Sequence, residues 1–365
     1  MIEMENSIDA LLENSDPALV RGALLKSRKE PKDLALLLSK GADGMLEEIA
    51  RRARQVKLAR FGRVVNLYAP LYVSNHCIGQ CPYCGFRNDR ETSRKTLSLA
   101  EIKQEGEALK KMGIRHVLLV SGEFPLYVDT NYLAKAIALL KESFPAVSVE
   151  VAPLAEEEYQ VLRDAGADGV TLYQETYNPF RYREFHSTGH KADFGYRLEA
   201  LDRAGAAGMR NLTAGALFGL SPWRQEALRL GLHARHLQKK WWKSQIAVGL
   251  PRLRDVPSDF DIPYPLDDRS FVHIMVALKV FLEDLGIAIS TRESPQLRES
   301  LVHLGVTQMS AGSKTEPGGY CLPGAATDQF EVSDERSPAE VAQSLLSLGY
   351  DPVWKDWDRG LGRGR

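Results

Sequence analysis

The sequence predicts a (β/α)8 barrel of the TIM type, with an N-terminal helical extension and a short C-terminal extension. Three observations carry that expectation. From Arg63 onward, strand-like runs rich in Val, Ile, Leu and Tyr alternate with amphipathic helical runs, and counting strand then helix gives about eight units. No Gly-x-Gly-x-x-Gly turn follows a strand, although the competing open doubly wound sheet wants one after its first strand. The length of 365 residues is one that α/β barrels reach without splitting into several domains.

The elements follow in order. Residues 1–60 read as an N-terminal extension of helices, because SIDALLEN and PKDLALLLSKGADGMLEEIARRARQVKLARFG place apolar residues at three- and four-residue spacing. Residues 61–315 carry the barrel. Its eight strands are expected in VVNLYAPLYVSN, RHVLLVSG, VSVEVAP, DGVTLYQETY, RNLTAGALFG, KSQIAVGLPRLR, IAISTRES and VTQMSAGS. The run SLAEIKQEGEALKKMG between the first two is a helix opened by Ser98 with Glu101 as its capping box and closed by Gly113. Residues 316–365 form a C-terminal extension that completes or covers the barrel; it should add one short helix, an aromatic charged stretch and a disordered basic tail, RGLGRGR.

Composition narrows the function. Apolar residues at 44% and charged residues at 26% describe a folded globular chain with a large core. Lys+Arg 47 against Asp+Glu 48 leaves a net charge of −1, so no overall field recruits nucleic acid or an anionic membrane. No apolar run approaches a bilayer span, and the acidic N-terminus lacks the order of a secretory signal. A cytoplasmic setting with reduced thiols is expected.

Three of the four cysteines fall in one short stretch, Cys77-x-x-x-Cys81-x-x-Cys84, directly after the first strand. An odd cluster cannot pair internally, and in a reducing compartment it points to metal. Three thiolates can hold three irons of a 4Fe–4S cube and leave the fourth iron open to a small molecule. The alternative is zinc, with His76 or a distant group as fourth ligand, in a protein without catalysis. Cys321 stands apart in GGYCLPG as an ordinary buried or surface thiol.

The cysteine spacing, with Tyr83 before the last thiol, resembles the signature of radical S-adenosylmethionine enzymes. The resemblance extends over nearly the whole chain. RFGRVVNLYAPLYVSNHCIGQCPYCGFRN, LLVSGE, LYQETY, DRAGAAGMRNLTAGALFGL, STRESPQLRE, SAGSKTEPGGY and QFEVSDERSPAEVAQSLLSLGYDPVWKDWD are similar to the 2-iminoacetate synthases, the tyrosine lyases of thiazole (thiamine) biosynthesis. Related tyrosine lyases of hydrogenase maturation carry a further C-terminal domain with its own cysteine motif, and the ending QFEVSDERS…DPVWKDWD favours the thiazole type. A tryptophan lyase on the same scaffold is the nearest alternative activity.

The resemblance implies a cluster whose open iron chelates S-adenosylmethionine. One electron then yields methionine and a 5′-deoxyadenosyl radical, which takes hydrogen from L-tyrosine to give 2-iminoacetate and p-cresol. It implies a one-electron donor such as flavodoxin or ferredoxin, and a complex with thiazole synthase. Carried over by position, Cys77, Cys81 and Cys84 are the cluster ligands and Tyr83 lies beside adenine. Ser121, Gly122 and Glu123 stand where the family's Gly-Gly-Glu meets the methionine amino group, with Ser in place of the first Gly. Gln174 and Glu175 end the fourth strand, and Glu175 faces the ribose or amino-acid end. Arg197 meets the carboxylate, and Gly215 and Leu217 belong to the Gly-x-Ile-x-Gly stretch on which adenine packs.

For the amino-acid substrate, Tyr72 faces the barrel interior if alternation holds, Arg292 is a planar cation suited to bidentate capture of a carboxylate, and Ser310 is a further candidate for the same group. The chamber walls are expected to be largely apolar. His233 and His236, with Lys239 and Lys240, read as a solvated basic helix face, and Trp241 and Trp242 as core.

Overall fold

The computed structural model describes residues 8–254, 259–322, 324 and 326–354; the RGLGRGR tail lies outside them. Eight parallel strands form the barrel: β1 (Val64–Ser74), β2 (His116–Ser121), β3 (Ala146–Glu150), β4 (Gly169–Glu175), β5 (Asn211–Ala216), β6 (Gln245–Gly249), β7 (Gly286–Ile289) and β8 (Gln308–Ser310). Each pairs with the next. β1 closes the ring by pairing Asn66–Tyr68 with β8 and Ala69–Ser74 with β2. All eight expected strands are present in their expected order.

Local chemistry sets the boundaries. Ser98 Oγ accepts from the Glu101 amide at 3.3 Å while the Glu101 carboxylate accepts from the Ser98 amide at 2.8 Å, and Gly113 ends that helix with φ +87°. The same reciprocal pair, Ser337 and Glu340, opens the helix Pro338–Ser347. The ending departs from expectation in one respect. After that helix, β9 (Asp351–Val353) pairs in parallel with the first residues of β1. Three residues are too few to show an alternating pattern, so the edge of β1 rather than local sequence makes this strand.

Alternation along β1 separates two environments. Val65, Leu67, Ala69, Leu71 and Val73 are fully buried against the helical layer. Asn66, Tyr68, Pro70 and Tyr72 turn inward. The main apolar core therefore lies between strands and helices. TIM-type interiors are usually filled with branched apolar side chains. Here the N-terminal half of the cylinder is lined by Asn66, His116, Ser148, Thr171, Thr213 and Gln308 and remains hollow, a cavity of about 940 Å³. Lys29, Arg60 and Phe61 of the N-terminal helical extension border its outer mouth.

Two surface expectations are corrected. His233 does not join the solvated face: it packs edge-on to Tyr177 and shares a 2.8 Å hydrogen bond with its hydroxyl. His236 is exposed and binds Asp202. Trp241 is half-buried with its indole N–H on Asp202, whereas Trp242 is 75% exposed and not core. Among the described residues no helix is long and apolar enough to cross a membrane.

Candidate active site

The cysteine loop leaves the C-terminal end of β1 and is clamped at its neck. The Arg94 guanidinium donates to the carbonyls of Asn75 (2.5 Å), Phe86 (2.8 Å) and Arg87 (2.6 Å), tying the entry of the loop to its exit. Gly122, just past β2, supports it from below: a Cβ there would lie 2.3 Å from the His76 carbonyl oxygen, so only glycine lets the loop backbone approach. Cys77, Cys81 and Cys84 are all free thiols. The Gly79 amide donates to Cys77 Sγ at 3.3 Å and the Phe86 amide to Cys84 Sγ at 3.4 Å.

Burial pushes the Cys81 thiol up to about 12 and raises Cys84 as well, so thiolates form here only when a bound cation compensates them. Backbone N–H groups aimed at sulfur suit a cluster thiolate. Zinc fits less well. Among the described residues no three His, Cys, Asp or Glu groups converge as a single ion needs, and His76 stacks on Tyr127 at 4.1 Å. Cys321 is exposed and hydrogen-bonded to Glu105, not joined to the trio.

Beside the loop runs a buried ionic chain. Arg197 pairs with Glu123 at 2.8 Å and with Glu175 at 3.5 Å, while its Nε–H donates to the Tyr173 carbonyl at 2.8 Å. Lys191 pairs with Glu175 at 2.6 Å. Burial opposes ionisation of Glu175, yet Lys191 and Arg197 outweigh it and hold its pKa below the usual carboxylate range. Glu175 sits at a β-bulge with φ +69°, the one non-glycine with positive φ among the described residues, and such strain concentrates at working sites. The Gln174 amide points to the Phe194 carbonyl at 3.4 Å. Next to this chain, the Tyr83 hydroxyl donates to His186 Nε2 (2.6 Å). That direction follows because His186 Nδ1–H donates to the Tyr182 carbonyl, and burial, with Lys191 beside it, pushes the ring's pKa down to about 3.

These groups border a chamber of about 120 Å³ at the C-terminal mouth. Tyr72, Tyr83, Cys84, Glu175, Leu217, Arg292 and Ser310 all line it, so the structure brings together sequence positions far apart. Ser121 ends β2 level with Ser74. Gly215 does not line the chamber; a Cβ there would lie 2.2 Å from the Tyr173 ring, so this glycine makes room for a tyrosine instead of presenting its backbone to a ligand. The walls are also not largely apolar: Glu150, Lys191, Tyr68 and Tyr173 share them with Leu118 and Leu217.

Arg292 stacks 3.4 Å above the Phe330 ring. Its neighbour Glu293 is held by Arg252 (2.6 Å) and Arg254 (2.9 Å), and no carboxylate among the described residues lies within ion-pair reach of Arg292. Ser310 Oγ accepts from the Thr291 amide at 3.1 Å, and the Tyr72 hydroxyl donates to Gln329 Oε1 at 2.7 Å.

Sequence reasoning missed Glu150, Lys191, His186, Gln329 and Phe330. Glu150 ends β3 as Glu175 ends β4, so the same logic of polar residues at strand ends had the means to find it. Gln329 and Phe330 reach the chamber only because the segment after β8 folds back over the mouth, where the Gly85 amide donates to the Gln329 carbonyl at 3.0 Å.

Comparison with known proteins agrees with this geometry. Residues 71–229 match the Radical SAM superfamily and residues 249–351 the Biotin and Thiamin Synthesis associated domain. The chain is 41% identical over 345 residues to the 2-iminoacetate synthase of Escherichia coli K12, covering 94% of this chain and 92% of that one. It is 39% identical over 345 residues to the 2-iminoacetate synthase of Salmonella typhimurium LT2, again covering 94% and 92%. The crystal structure of HydG, a maturase of the FeFe-hydrogenase, superposes with a TM-score of 0.88 at 33% identity, covering 96% of this chain and 80% of that one. With three thiols at a barrel mouth and likeness running along almost its entire length, the chain belongs to the 2-iminoacetate synthases of the radical SAM superfamily.

Proposed function

We propose that the protein cleaves the Cα–Cβ bond of L-tyrosine to 2-iminoacetate and p-cresol, the step that feeds thiazole formation in thiamine biosynthesis. The observation that carries this is the 41% identity over 94% of the chain to a 2-iminoacetate synthase. Cys77, Cys81 and Cys84 are the residues that would hold a 4Fe–4S cluster, which would bind and activate S-adenosylmethionine. When bound, that cluster supplies the electron that splits S-adenosylmethionine into methionine and the hydrogen-abstracting fragment.

The chain's own part is positioning. Glu123 and Arg197, now paired with each other at 2.8 Å, exchange that contact for the ammonium and carboxylate of the methionyl group, keeping two charge-assisted hydrogen bonds. Glu175, pinned by Lys191, faces the ribose, with Gln174 and Ser121 near it at the ends of β4 and β2. Tyr83, fixed by His186, and Leu217 flank the adenine. Arg292 receives the tyrosine carboxylate, with Ser310 and Tyr72 beside it. Phe330 and Gln329 close the mouth and exclude water.

A one-electron donor such as flavodoxin or ferredoxin, and a thiazole synthase to accept the unstable imine, are the partners this function calls for. Anaerobic turnover of the reconstituted enzyme with tyrosine and with tryptophan tests it. Release of p-cresol from tyrosine is expected; a product from tryptophan alone would assign the scaffold to the tryptophan lyases.

A further inference from the structure

β3 ends at Glu150, whose side chain opens into the chamber. Among the described residues its carboxylate has neither a hydrogen-bond donor nor an ion-pair partner. The other nearby acids are engaged: Glu175 by Lys191, Glu123 by Arg197, Glu293 by Arg252. Across the eight-strand ring, just past β7, Arg292 enters the same chamber and is likewise without a carboxylate. One small cavity thus holds a carboxyl group and a guanidinium on opposite walls, neither in an ion pair among the described residues.

Desolvated charges without partners are costly, and a ligand carrying both complementary charges relieves both. An α-amino acid is such a ligand: its carboxylate meets Arg292 and its ammonium meets Glu150. We infer that Glu150 receives the ammonium group of the amino-acid substrate and takes one of its protons. The transfer balances without any change of oxidation state: the ammonium N–H bond breaks, the carboxylate O–H bond forms, and the nitrogen keeps the electron pair. Burial, reinforced by Glu175 and opposed by Arg292, pushes Glu150 up to about 7, close to the range in which a carboxylate exchanges protons at neutral pH.

This inference rests on the amino-acid lyase function proposed above, and its test separates the two. Tyrosine, phenylalanine and desaminotyrosine, the last lacking the ammonium, are bound by equilibrium dialysis to cluster-reconstituted, S-adenosylmethionine-loaded enzyme with no reductant, so that nothing turns over. Wild type should prefer tyrosine, and Glu150→Gln should weaken tyrosine by roughly 10- to 100-fold, the range expected for one lost charged hydrogen bond, while leaving desaminotyrosine unchanged. Retained S-adenosylmethionine binding shows that the variant is folded. Equal losses for both ligands, or no loss for either, overturn the inference. So does a variant that keeps the preference for the ammonium but stops distinguishing tyrosine from phenylalanine, because Glu150 then reads the phenol. Failure of wild type to release p-cresol with reductant present overturns the lyase function instead, and leaves the binding comparison readable.

Discussion

At the scale of single residues, the site separates charged groups that hold one another from charged groups without an ion-pair partner among the described residues. Arg197 has two acids within 4 Å, whereas Arg292 has an aromatic ring and, among the described residues, no acid. Arg292→Ala should therefore raise KM for tyrosine by roughly 30-fold or more, about 2 kcal/mol for a buried charge-assisted contact, while S-adenosylmethionine cleavage continues uncoupled. Steady-state kinetics with separate assays for 5′-deoxyadenosine and p-cresol check this, and an unchanged KM removes Arg292 from the pocket. Residues at strand ends, such as Glu175 and Arg292, were legible in the sequence because a barrel places its chemistry there. Lys191 and His186 were not, since nothing local distinguishes them from solvated loop residues. Gly215 misled: its motif suggests a ligand contact, and the space it opens is taken by Tyr173.

At the scale of elements, the mouth is built by tying strand ends to the chain that returns over them. Buried Arg298 pairs with Asp334 and donates to the Ser310 carbonyl, while the Asp334 amide donates to the Thr291 carbonyl at 3.0 Å. One ion pair thus joins the ends of β7 and β8 to the C-terminal segment. Asp334→Ala should destabilise the protein by roughly 3–5 kcal/mol, because it leaves a guanidinium buried and unpaired. A shift in the denaturant midpoint measures this; a loss under about 1 kcal/mol would show that the pair is not structural. All eight strands could be read from their Val-, Ile- and Leu-rich runs and the helices between them. Which residues of the C-terminal extension meet the chamber could not be read, because the position of Gln329 and Phe330 depends on contacts with the cysteine loop rather than on any periodicity of their own.

At the scale of the whole molecule, the hollow barrel puts the apolar core in an outer shell, and among the described residues Lys57 and Lys279 are fully buried in it. Lys57 is fully buried against the Tyr350 ring at 4.1 Å with no hydrogen-bond partner among the described residues, and burial pushes it down to about 7. Burial and Lys57 likewise bring Lys279 to about 7. An unfolded lysine titrates near 10.4, so between about pH 7 and pH 10 the unfolded chain binds protons that the folded chain lacks, and stability rises with pH. Lys57→Met should raise the thermal midpoint at neutral pH and flatten its climb toward about pH 9, with Lys279 supplying the residual slope; an unchanged slope contradicts this. The polar barrel interior was written in the inward positions of each strand, yet its hollowness depends on side-chain volumes around a closed ring, which no single strand reveals. The whole account depends on three sulfurs sharing one inorganic cluster. Iron and sulfide analysis with electron paramagnetic resonance, on anaerobically reconstituted wild type, Cys81→Ala and Cys321→Ala, tests it most directly. The expected result is about four irons and four sulfides per chain in wild type and Cys321→Ala, a reduced-cluster signal that changes when S-adenosylmethionine is added, and loss of both in Cys81→Ala. A colourless wild-type protein, or a Cys81→Ala variant with an intact cluster and undiminished S-adenosylmethionine cleavage, would contradict it.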